Sequence, residues 1–402
     1  MKTELHDGTL TLFPEGHVDS KNAADFERDA MAAVEAAPGT SVVVDVDKLE
    51  YVSSAGLRVF MKLARRAKGT LSVVNASPEV YDIFDVTGFV ELMDVRKRLR
   101  TVSVEGLELL GSGANGSVYR FTRDEMIKAF RPGLSLDVVE AEREASRTAF
   151  MLGVPCAIPF DTVRCGEGYG TVYEMLNAAT ITERVRERPE SLEWYAHKAA
   201  DLLRQLHKLE VPADAMQPGS APYYNTIEAN ANKFTKEEVA QMRGLYDAIP
   251  PMNRFVHNDF HTRNIMESDG ELMLIDLGES GAGNPLLDLV HSCLVFNLIG
   301  TGGGVTQPDD AISFVGLTYG ELRRFWNVML AEYCGSAEQA ARLTELLMPY
   351  ARLTYLASSM AHPLLPKELH PVYVDAIRTE VLTHVDEMLA SVDEMLALLP
   401  VG

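Results

Sequence analysis

The hydrophobic positions of the first hundred residues alternate between a strand period and a helix period. Strand-like runs occur in TLTLFPEG, SVVVDVDKLEYV and LSVVNAS, and helical patterns occur at residues 23–37, in LRVFMKLARRA and in EVYDIFDVTG. The continuous β-branched run at valines 42–44 is typical of a strand that is buried on both faces. In the last helical pattern, Val80, Ile83 and Phe84 share one face. Together these patterns predict a compact α/β domain.

A glycine-rich segment, LLGSGANGSVYRF, follows and lies between apolar, strand-like runs. In it, Gly111, Gly113, Gly116 and Val118 complete the pattern G-x-G-x-x-G-x-V. The next segments, SVYRF and EMIKAF, predict two strands, whereas a dinucleotide-binding loop needs a helix directly after its glycines. A glycine loop between strands can cover phosphates with backbone alone, because no side chain obstructs the approach. The alternative is an ordinary hairpin turn.

Lys128 lies near the end of the second predicted strand, and a helical pattern runs through EAEREASRTAF at residues 140–150. Glu144 on that helix can turn back towards Lys128. An ion pair between them would aim the lysine at the α- and β-phosphates of a nucleotide. Taken singly, the alternatives are a solvated surface lysine and a glutamate on a helix face.

The segments FVHNDFHTRNIM and LMLIDLGES place polar groups in the arrangement that phosphotransferases require, at His257, Asp259, Asn264 and Asp276. In such a reaction one aspartate orients or deprotonates the acceptor hydroxyl, while an asparagine and a second aspartate hold magnesium. We assign these roles to Asp259, Asn264 and Asp276. An exposed acidic turn would be the better interpretation of an isolated HxD triplet, but the upstream glycine motif favours catalysis.

The whole series is ordered as glycine loop, Lys128, Glu144, the apolar hinge candidate TVYEML, the HxDxxxxN loop and Asp276. This order resembles the protein-kinase-like fold, and the closer similarity is to its aminoglycoside phosphotransferase branch. The resemblance covers residues 104–402. It implies an α+β bilobal domain that binds ATP with Mg²⁺ between its lobes.

By the same resemblance, the small strand-rich lobe covers residues 104–178 and the large helical lobe covers residues 179–402. Glu174 and Leu176 would offer hinge backbone to the adenine ring. Asp288, in GNPLLDLVHS, matches the later aspartate of this branch that braces the catalytic loop.

Only eleven residues separate Asp276 from Asp288. Protein kinases need a longer segment there to align a peptide, so this spacing favours a small hydroxylated acceptor. The glycine-rich stretch Gly300–Pro308 is either a lid over the acceptor or a disordered connector. Two positions depart from the pattern: Asn258 stands where the branch often has glycine, and Leu277 stands where protein kinases usually have phenylalanine.

In the first hundred residues, GHVDSKNA, VVVDVDKLEYVSSAGLRVFMKL and IFDVTGFVELMDV together resemble the STAS family, the fold of anti-sigma-factor antagonists. The resemblance covers residues 1–101 and implies an anti-sigma factor or another protein as partner. In that family a serine just before the G-L pair is the regulatory phosphorylation site. Matching residue by residue indicates Ser54, with Ser53 beside it. A helix N-terminus stabilises a phosphate there, and the alternative is that Ser54 only caps the helix.

The formal charge of −21 is distributed unevenly: residues 1–103 carry 13 basic and 16 acidic side chains, or −3, which leaves −18 for the remainder. The acidity favours a cationic acceptor, although it also serves solubility. We expect no nucleic-acid partner, because the phosphate backbone needs a basic face. No apolar run approaches the roughly 20 residues of a membrane span, and the first residues lack a signal-peptide core. We therefore expect no membrane association and a cytoplasmic location.

Near the carboxyl terminus, VDEMLA repeats at a seven-residue interval, which aligns Val385, Leu389, Val392 and Leu396 along one helical stripe. Two heptads are too few for a coiled coil. We therefore expect this segment to pack against the large lobe, although it and the STAS domain both leave a homodimer open.

The sequence thus predicts an ATP-dependent phosphotransferase, with a small-molecule hydroxyl as acceptor, fused behind a STAS regulatory domain. One alternative is a signalling kinase that phosphorylates Ser54 or another protein in an anti-sigma-factor partner switch. The other is a pseudoenzyme that binds nucleotide only as a structural ligand. Every catalytic position is filled, which argues against the pseudoenzyme.

Overall fold

The computed structural model describes residues 1–6, 8–67, 71–113, 115–299, 315–362 and 365–400. The chain divides into two compact units, Met1–Ser103 and Val104–Gly402, and each has its own hydrophobic core. The stretch Gly300–Pro308, for which the sequence predicts a lid or a connector, lies outside the described residues.

The first unit alternates strands and helices along the chain. In chain order they are β1 (Lys2–His6), β2 (Thr9–Phe13), β3 (Gly16–Val18), α1 (Ala23–Ala36), β4 (Ser41–Asp45), β5 (Leu49–Val52), α2 (Ser54–Arg66), β6 (Leu71–Ala76), α3 (Pro78–Val86), β7 (Asp94–Lys97) and β8 (Thr101–Val102). The main sheet has the order β1-β2-β4-β6-β7, and β3 pairs with β5. Within the main sheet β1 is antiparallel to β2, and the pairs that follow are parallel.

Three phenylalanines, one from each helix, join the core of this unit: Phe26, Phe60 and Phe84. The rings of Phe60 and Phe84 meet edge to face with their centroids 5.1 Å apart. Val42 and Val44 on β4 are buried, whereas Val43 between them is only half-buried. The prediction that this strand is buried on both faces is therefore wrong for one of its faces.

The second unit begins with a small lobe of strands and one helix: β9 (Leu109–Ser112), β10 (Gly116–Arg120), β11 (Glu125–Phe130), α4 (Leu136–Met151), β12 (Pro159–Cys165) and β13 (Gly168–Glu174). Its strands pair in the order β12-β13-β11-β10-β9. The observed strands β10 and β11 match the two strands that SVYRF and EMIKAF predict.

The large lobe is mostly helical and holds most of the core. Its elements up to the middle of the lobe are β14 (Ala179–Thr180), α5 (Ile181–Glu187), α6 (Leu192–Leu206), α7 (Ala221–Ala229), α8 (Lys236–Asp247), β15 (Arg254–Val256), β16 (Ile265–Ser268), β17 (Glu271–Leu274), β18 (Gly281–Gly283) and α9 (Pro285–Asn297). Further helices cover Tyr319–Cys334, Ala337–Ala361, His370–Ala376, Val385–Ala390 and Val392–Ala397. None of the described helices is both long and apolar enough to cross a membrane.

The repeated VDEMLA segment forms two short helices rather than one. Its most buried side chains are Met388, Val392 and Met395, while Leu389 is exposed. The predicted stripe through Leu389 is therefore wrong, because the buried face passes through Met388, Val392 and Met395, which are four and three residues apart and so lie on one side of the helices. Packing against the large lobe is confirmed, since Tyr350 donates a hydrogen bond to the carbonyl of Met388 at 2.9 Å.

Candidate active site

The glycine motif forms a hairpin between β9 and β10, in which Gly111 lies opposite Val118. Gly116 is required by the sheet, because a Cβ there would lie 2.2 Å from the carbonyl oxygen of Ala129. Gly111 and Gly113 differ, since a Cβ at either would meet nothing within 4 Å among the described residues. The protein's own packing therefore does not explain these two glycines, and close approach of a ligand would.

Lys128 on β11 contacts carboxylates from both lobes. Its Nζ lies 2.6 Å from Oε1 of Glu142 on α4 and 3.0 Å from Oδ1 of Asp276. Burial opposes the charge of this ammonium, but Asp276 and Glu142 together raise the pKa of Lys128 above its ordinary value. The cleft therefore contains a fixed positive charge beside Asp276.

The predicted pairing of Lys128 with Glu144 is wrong. The side chain of Glu144 is half exposed and lies 3.3 Å from Arg147, one turn further along α4. Glu142 and Glu144 are two residues apart, which places them roughly 200° apart around a helix. Only Glu142 shares the buried face of α4 with Val139 and Ser146.

The loop after β15 places Asp259 beside an amide and two imidazoles. Nδ2 of Asn264 donates to Oδ2 of Asp259 at 2.7 Å. Oδ1 of Asp259 lies 3.2 Å from Nε2 of His261 and 3.5 Å from Nδ1 of His291 on α9. Burial alone would raise the pKa of Asp259, but His261, then His291 and His257, hold it below its ordinary value. Asp259 is therefore ionised at neutral pH, as a proton acceptor must be.

Asp288 anchors this loop by binding its backbone. Its carboxylate is buried and accepts hydrogen bonds from the backbone N–H of His257, at 2.9 Å, and of Asn258. The imidazole of His207, also buried, lies between Oδ2 of Asp288, at 3.1 Å, and the hydroxyl of Tyr333, at 2.7 Å. The contacts agree with the bracing role that the family resemblance implies for Asp288.

Two residues of the site adopt left-handed backbone, which is uncommon for residues other than glycine. These are Asn258, with φ of 62°, and Asp276, with φ of 61°. Asparagine tolerates this conformation better than most residues, which accounts for Asn258 at a position where the branch often has glycine. Nδ2 of Asn258 also donates to the carbonyls of Gly219, at 2.9 Å, and Glu279, at 3.0 Å.

The chemistry of Asn264 and Asp276 suits a hard divalent cation. Because Nδ2 of Asn264 donates to Asp259, the amide oxygen is the atom left for a metal. The side chain of Asp276 is 40% exposed, so its carboxylate is accessible. Mg²⁺ favours oxygen ligands of this kind, and usually takes one or two carboxylates together with waters and phosphates.

The predicted hinge residues follow directly from the small-lobe sheet. Glu174 ends β13, and its N–H donates to the carbonyl of Ile158 at 2.9 Å. Leu176, two residues later, makes no backbone hydrogen bond within the described part of the chain. Its N–H and C=O are therefore available, as hinge contacts to an adenine ring would require.

In the first unit, Ser53 and Ser54 have different roles. Oγ of Ser53 accepts a hydrogen bond from the N–H of Gly56 at 3.4 Å and so caps α2. Ser54 is the first residue of the helix and is exposed. The alternative in which Ser54 serves as the cap is therefore wrong, and phosphorylation of Ser54 stays a prediction.

A family model described as "Phosphotransferase enzyme family" matches residues 106–325, which is more than half of the chain. The chain is a member of the phosphotransferase enzyme family. A STAS domain model matches residues 1–102. Over 92 residues, the chain is 36% identical to the "Putative anti-sigma factor antagonist BtrV" of Bordetella bronchiseptica, a stretch that covers 22% of this chain and 78% of that protein. The protein thus combines a STAS domain with a kinase-like phosphotransferase domain.

Solved structures with a similar fold include the aminoglycoside phosphotransferase APH(2'')-Ib with ADP bound. It is 17% identical, with a TM-score of 0.45, over 71% of this chain and 94% of that chain. A choline/ethanolamine kinase family protein from Mesorhizobium loti is also 17% identical, with a TM-score of 0.42, over 72% of this chain and 92% of that chain. The family assignment rests on the matching family model and not on these two structures.

Sequence reasoning missed four residues of this phosphotransferase site: Glu142, His207, His261 and His291. The phase of α4 carried a signal for Glu142, because Val139 and Ala149 mark the buried face of that helix. The proximity of His261 to Asp259 was visible in the motif itself. His207 and His291 come from distant helices, and no local pattern in the sequence indicates their approach to the loop.

Proposed function

We propose that this protein is an ATP-dependent phosphotransferase that transfers the γ-phosphate to a hydroxyl of a small molecule, under the control of its STAS domain. The observation that carries the proposal is the 3.0 Å contact between Nζ of Lys128 and Oδ1 of Asp276. It joins the small-lobe lysine and the proposed metal ligand in one cleft, where both would meet the phosphates of a nucleotide.

Each residue of the cleft has a role in this proposal. Asp259 accepts the proton of the acceptor hydroxyl as its oxygen attacks the γ-phosphorus and ADP leaves. Asn264 and Asp276 would hold Mg²⁺, which neutralises charge on the phosphates. Glu142 fixes Lys128 so that its ammonium is directed at the α- and β-phosphates. Leu176 offers its free backbone to the adenine.

The proposed acceptor is small because the chain leaves little room for a peptide-binding segment. After Asp276 it forms the single turn Leu277–Glu279, then β18, and α9 begins at Pro285. Several carboxylates lie close together here. Desolvation and the nearby negative charges of Asp259 and Asp276 raise the pKa of Glu279. This concentration, in the more acidic part of the chain, favours an acceptor with a positive charge.

The direct test is a screen for phosphate transfer from ATP and Mg²⁺ to hydroxylated metabolites and aminoglycosides, with cationic and neutral members matched in size. For the best acceptor, Asp259→Asn should lower turnover by about 100-fold or more, since it removes the general base. Nucleotide affinity should be retained. Asp386→Asn, at an exposed position in the helix Val385–Ala390, is the matched control and should behave as wild type.

The screen also separates the proposal from its alternatives. Tight ATP binding with no transfer to any acceptor would indicate a nucleotide-binding pseudoenzyme. A complete lack of affinity for Mg-ATP would contradict both the enzyme and the pseudoenzyme.

A second candidate function, signalling through phosphorylation of the STAS domain, is favoured by the exposure of Ser54. Its hydroxyl has no hydrogen-bond partner within the described residues, because Ser53 supplies the cap. We would incubate the chain with labelled ATP and compare wild type, Ser54→Ala and Ser53→Ala. Label that is lost only in Ser54→Ala supports signalling with an anti-sigma factor as partner. An unlabelled chain that turns over a small alcohol supports the metabolic enzyme.

A further inference from the structure

Strand β1 forms one edge of the main sheet in the STAS domain, and its outer side has no neighbouring strand among the described residues. All five of its residues, Lys2–His6, are exposed. Leu5 is 62% exposed, whereas the side chain of Met1 is only 5% exposed. An edge of this kind offers unpaired backbone groups to another strand unless its side chains prevent pairing.

The apolar side chains of β1 continue the core-facing side of the sheet. Leu5 lies opposite Leu10, and Thr3 opposite Leu12, on the neighbouring strand β2. Leu10 and Leu12 are buried in the core. Because successive side chains of a strand alternate between faces, Thr3 and Leu5 lie on this same face. The face of the sheet that is buried at β2 therefore continues onto β1, where it is exposed.

The hydrogen-bonding pattern of the edge limits how a second copy of β1 could pair with it. In an antiparallel ladder, alternate residues point their N–H and C=O groups outward. Residues that lie directly opposite each other also have their side chains on the same face of the sheet. Two copies related by a twofold axis must therefore pair so that one residue lies opposite its own counterpart, and this residue is the centre of the pairing. Centring on Lys2 would oppose lysine to lysine, and centring on Glu4 would oppose glutamate to glutamate.

Centring on Thr3 removes both conflicts. Lys2 of each copy then lies opposite Glu4 of the other. Thr3 meets its own counterpart, which is a favourable pair in a sheet. The sequence of β1 is thus complementary to itself in charge about Thr3. Centring on Leu5 also avoids like charges, but it places Lys2 opposite residue 8, beyond the end of β1, so only the register about Thr3 pairs Lys2 with Glu4.

We propose that a second copy of this chain pairs antiparallel with β1 about Thr3, joining two STAS sheets into one continuous sheet. This interface consists of STAS-domain residues, and none of them belongs to the phosphotransferase site. It involves only one short strand from each copy, so the dimer is weak and depends on concentration. Opposite charges directly across the strands add to its stability, and like charges there oppose it.

Charge exchange at two positions tests the register. Lys2→Glu alone places glutamate opposite glutamate twice in a homodimer, and Glu4→Lys alone places lysine opposite lysine. Each should weaken dimerisation of the full chain by roughly tenfold or more in sedimentation velocity over a concentration series. The double variant Lys2→Glu/Glu4→Lys restores every opposite pair and should dimerise like wild type.

An equimolar mixture of the two single variants adds a stricter test. One copy then carries two glutamates and the other two lysines, so a heterodimer regains both opposite pairs while each variant alone dimerises more weakly than wild type. Lys48→Glu is the matched control for the change in net charge, since Lys48 is 70% exposed and distant in sequence from β1. It should leave dimerisation unchanged.

The remaining outcomes contradict the proposal. A wild-type chain that stays monomeric at every concentration excludes the interface. Dimerisation that the single variants leave intact assigns the contact to another surface. Failure of the double variant to recover, when its circular dichroism matches wild type, excludes pairing about Thr3.

Discussion

The two carboxylate oxygens of Asp259 have different neighbours. Oδ2 accepts a hydrogen bond from Asn264, whereas Oδ1 lies beside His261 and His291. Both oxygens of this carboxylate therefore have polar neighbours within the protein itself. Nδ1 of His291 is buried and makes no hydrogen bond within the described residues, although it lies 3.5 Å from Oδ1 of Asp259.

Glu142 and Glu144 give a matched pair of variants at this scale. Glu142→Gln should lower kcat/KM on the order of 100-fold, because Lys128 loses the partner that fixes its position and small misplacements are costly. Glu144→Gln should have no effect on kcat/KM, since the ion pair of Glu144 in the described structure is with Arg147 on the same helix. Steady-state kinetics with the acceptor found in the screen measures both. Equal losses in the two variants would show that Glu142 has no special role.

At the scale of elements, the glycine hairpin combines two requirements that the sequence motif does not separate. Gly116 is fixed by the neighbouring strand β11, because its missing Cβ makes room for the backbone of Ala129. A Cβ at Gly111 or Gly113 would meet only open space within the described structure. We propose that the missing side chains at these two positions leave room for the phosphates of the nucleotide. One motif thus serves both folding and binding.

Two alanine substitutions should separate these requirements. Gly116→Ala should unfold the small lobe or shift its strands, because a Cβ 2.2 Å from a backbone oxygen cannot be accommodated without movement. Gly113→Ala should keep the melting temperature of wild type but weaken binding of Mg-ATP. Thermal denaturation and calorimetric titration measure the two effects. Our interpretation of the hairpin would be wrong if Gly113→Ala bound nucleotide normally.

The sequence was sufficient to predict most of the elements and the meeting of Lys128 with Asp276 in one cleft, because each of these segments carries a local pattern. The glycine hairpin, β11 and the loop around Asp259 each have a distinctive motif. The partner of Lys128 was missed because charge alone does not distinguish Glu142 from Glu144. That choice depends on helical phase, which Val139 and Ala149 reveal only once the limits of α4 are known.

At the scale of the whole phosphotransferase domain, Asp288 connects parts of the chain that are distant in sequence. It receives hydrogen bonds from the loop around Asp259 and from His207, which directly follows α6, and His207 in turn contacts Tyr333. Such contacts arise only after the helices have packed, which explains why the sequence predicted Asp288 from a family resemblance but did not predict its neighbours.

Asp288→Asn should destabilise this domain by about 3 kcal/mol at neutral pH, the usual scale for breaking a buried charged pair. Burial would raise the pKa of Asp288, but His207 and then His257 hold it below its ordinary value of 3.8. The stability from this carboxylate is therefore complete above pH 3.8 and is lost as pH falls through the lowered pKa.

Urea unfolding of wild type and Asp288→Asn at several pH values measures this dependence. The difference in unfolding free energy between the two proteins should be constant near neutrality and should shrink below pH 3.8. A difference that stayed the same into strong acid would mean that the ionisation of Asp288 does not contribute to stability.

The ammonium of Lys128 occupies an oxygen of Asp276 before any ligand arrives. If Asp276 holds a divalent ion, as we propose, that ion would compete with this internal cation for the same carboxylate. The unliganded protein carries its own counter-ion, and Lys128 would exchange its contact with Asp276 for one with the phosphates. We therefore expect nucleotide binding to depend on the magnesium concentration.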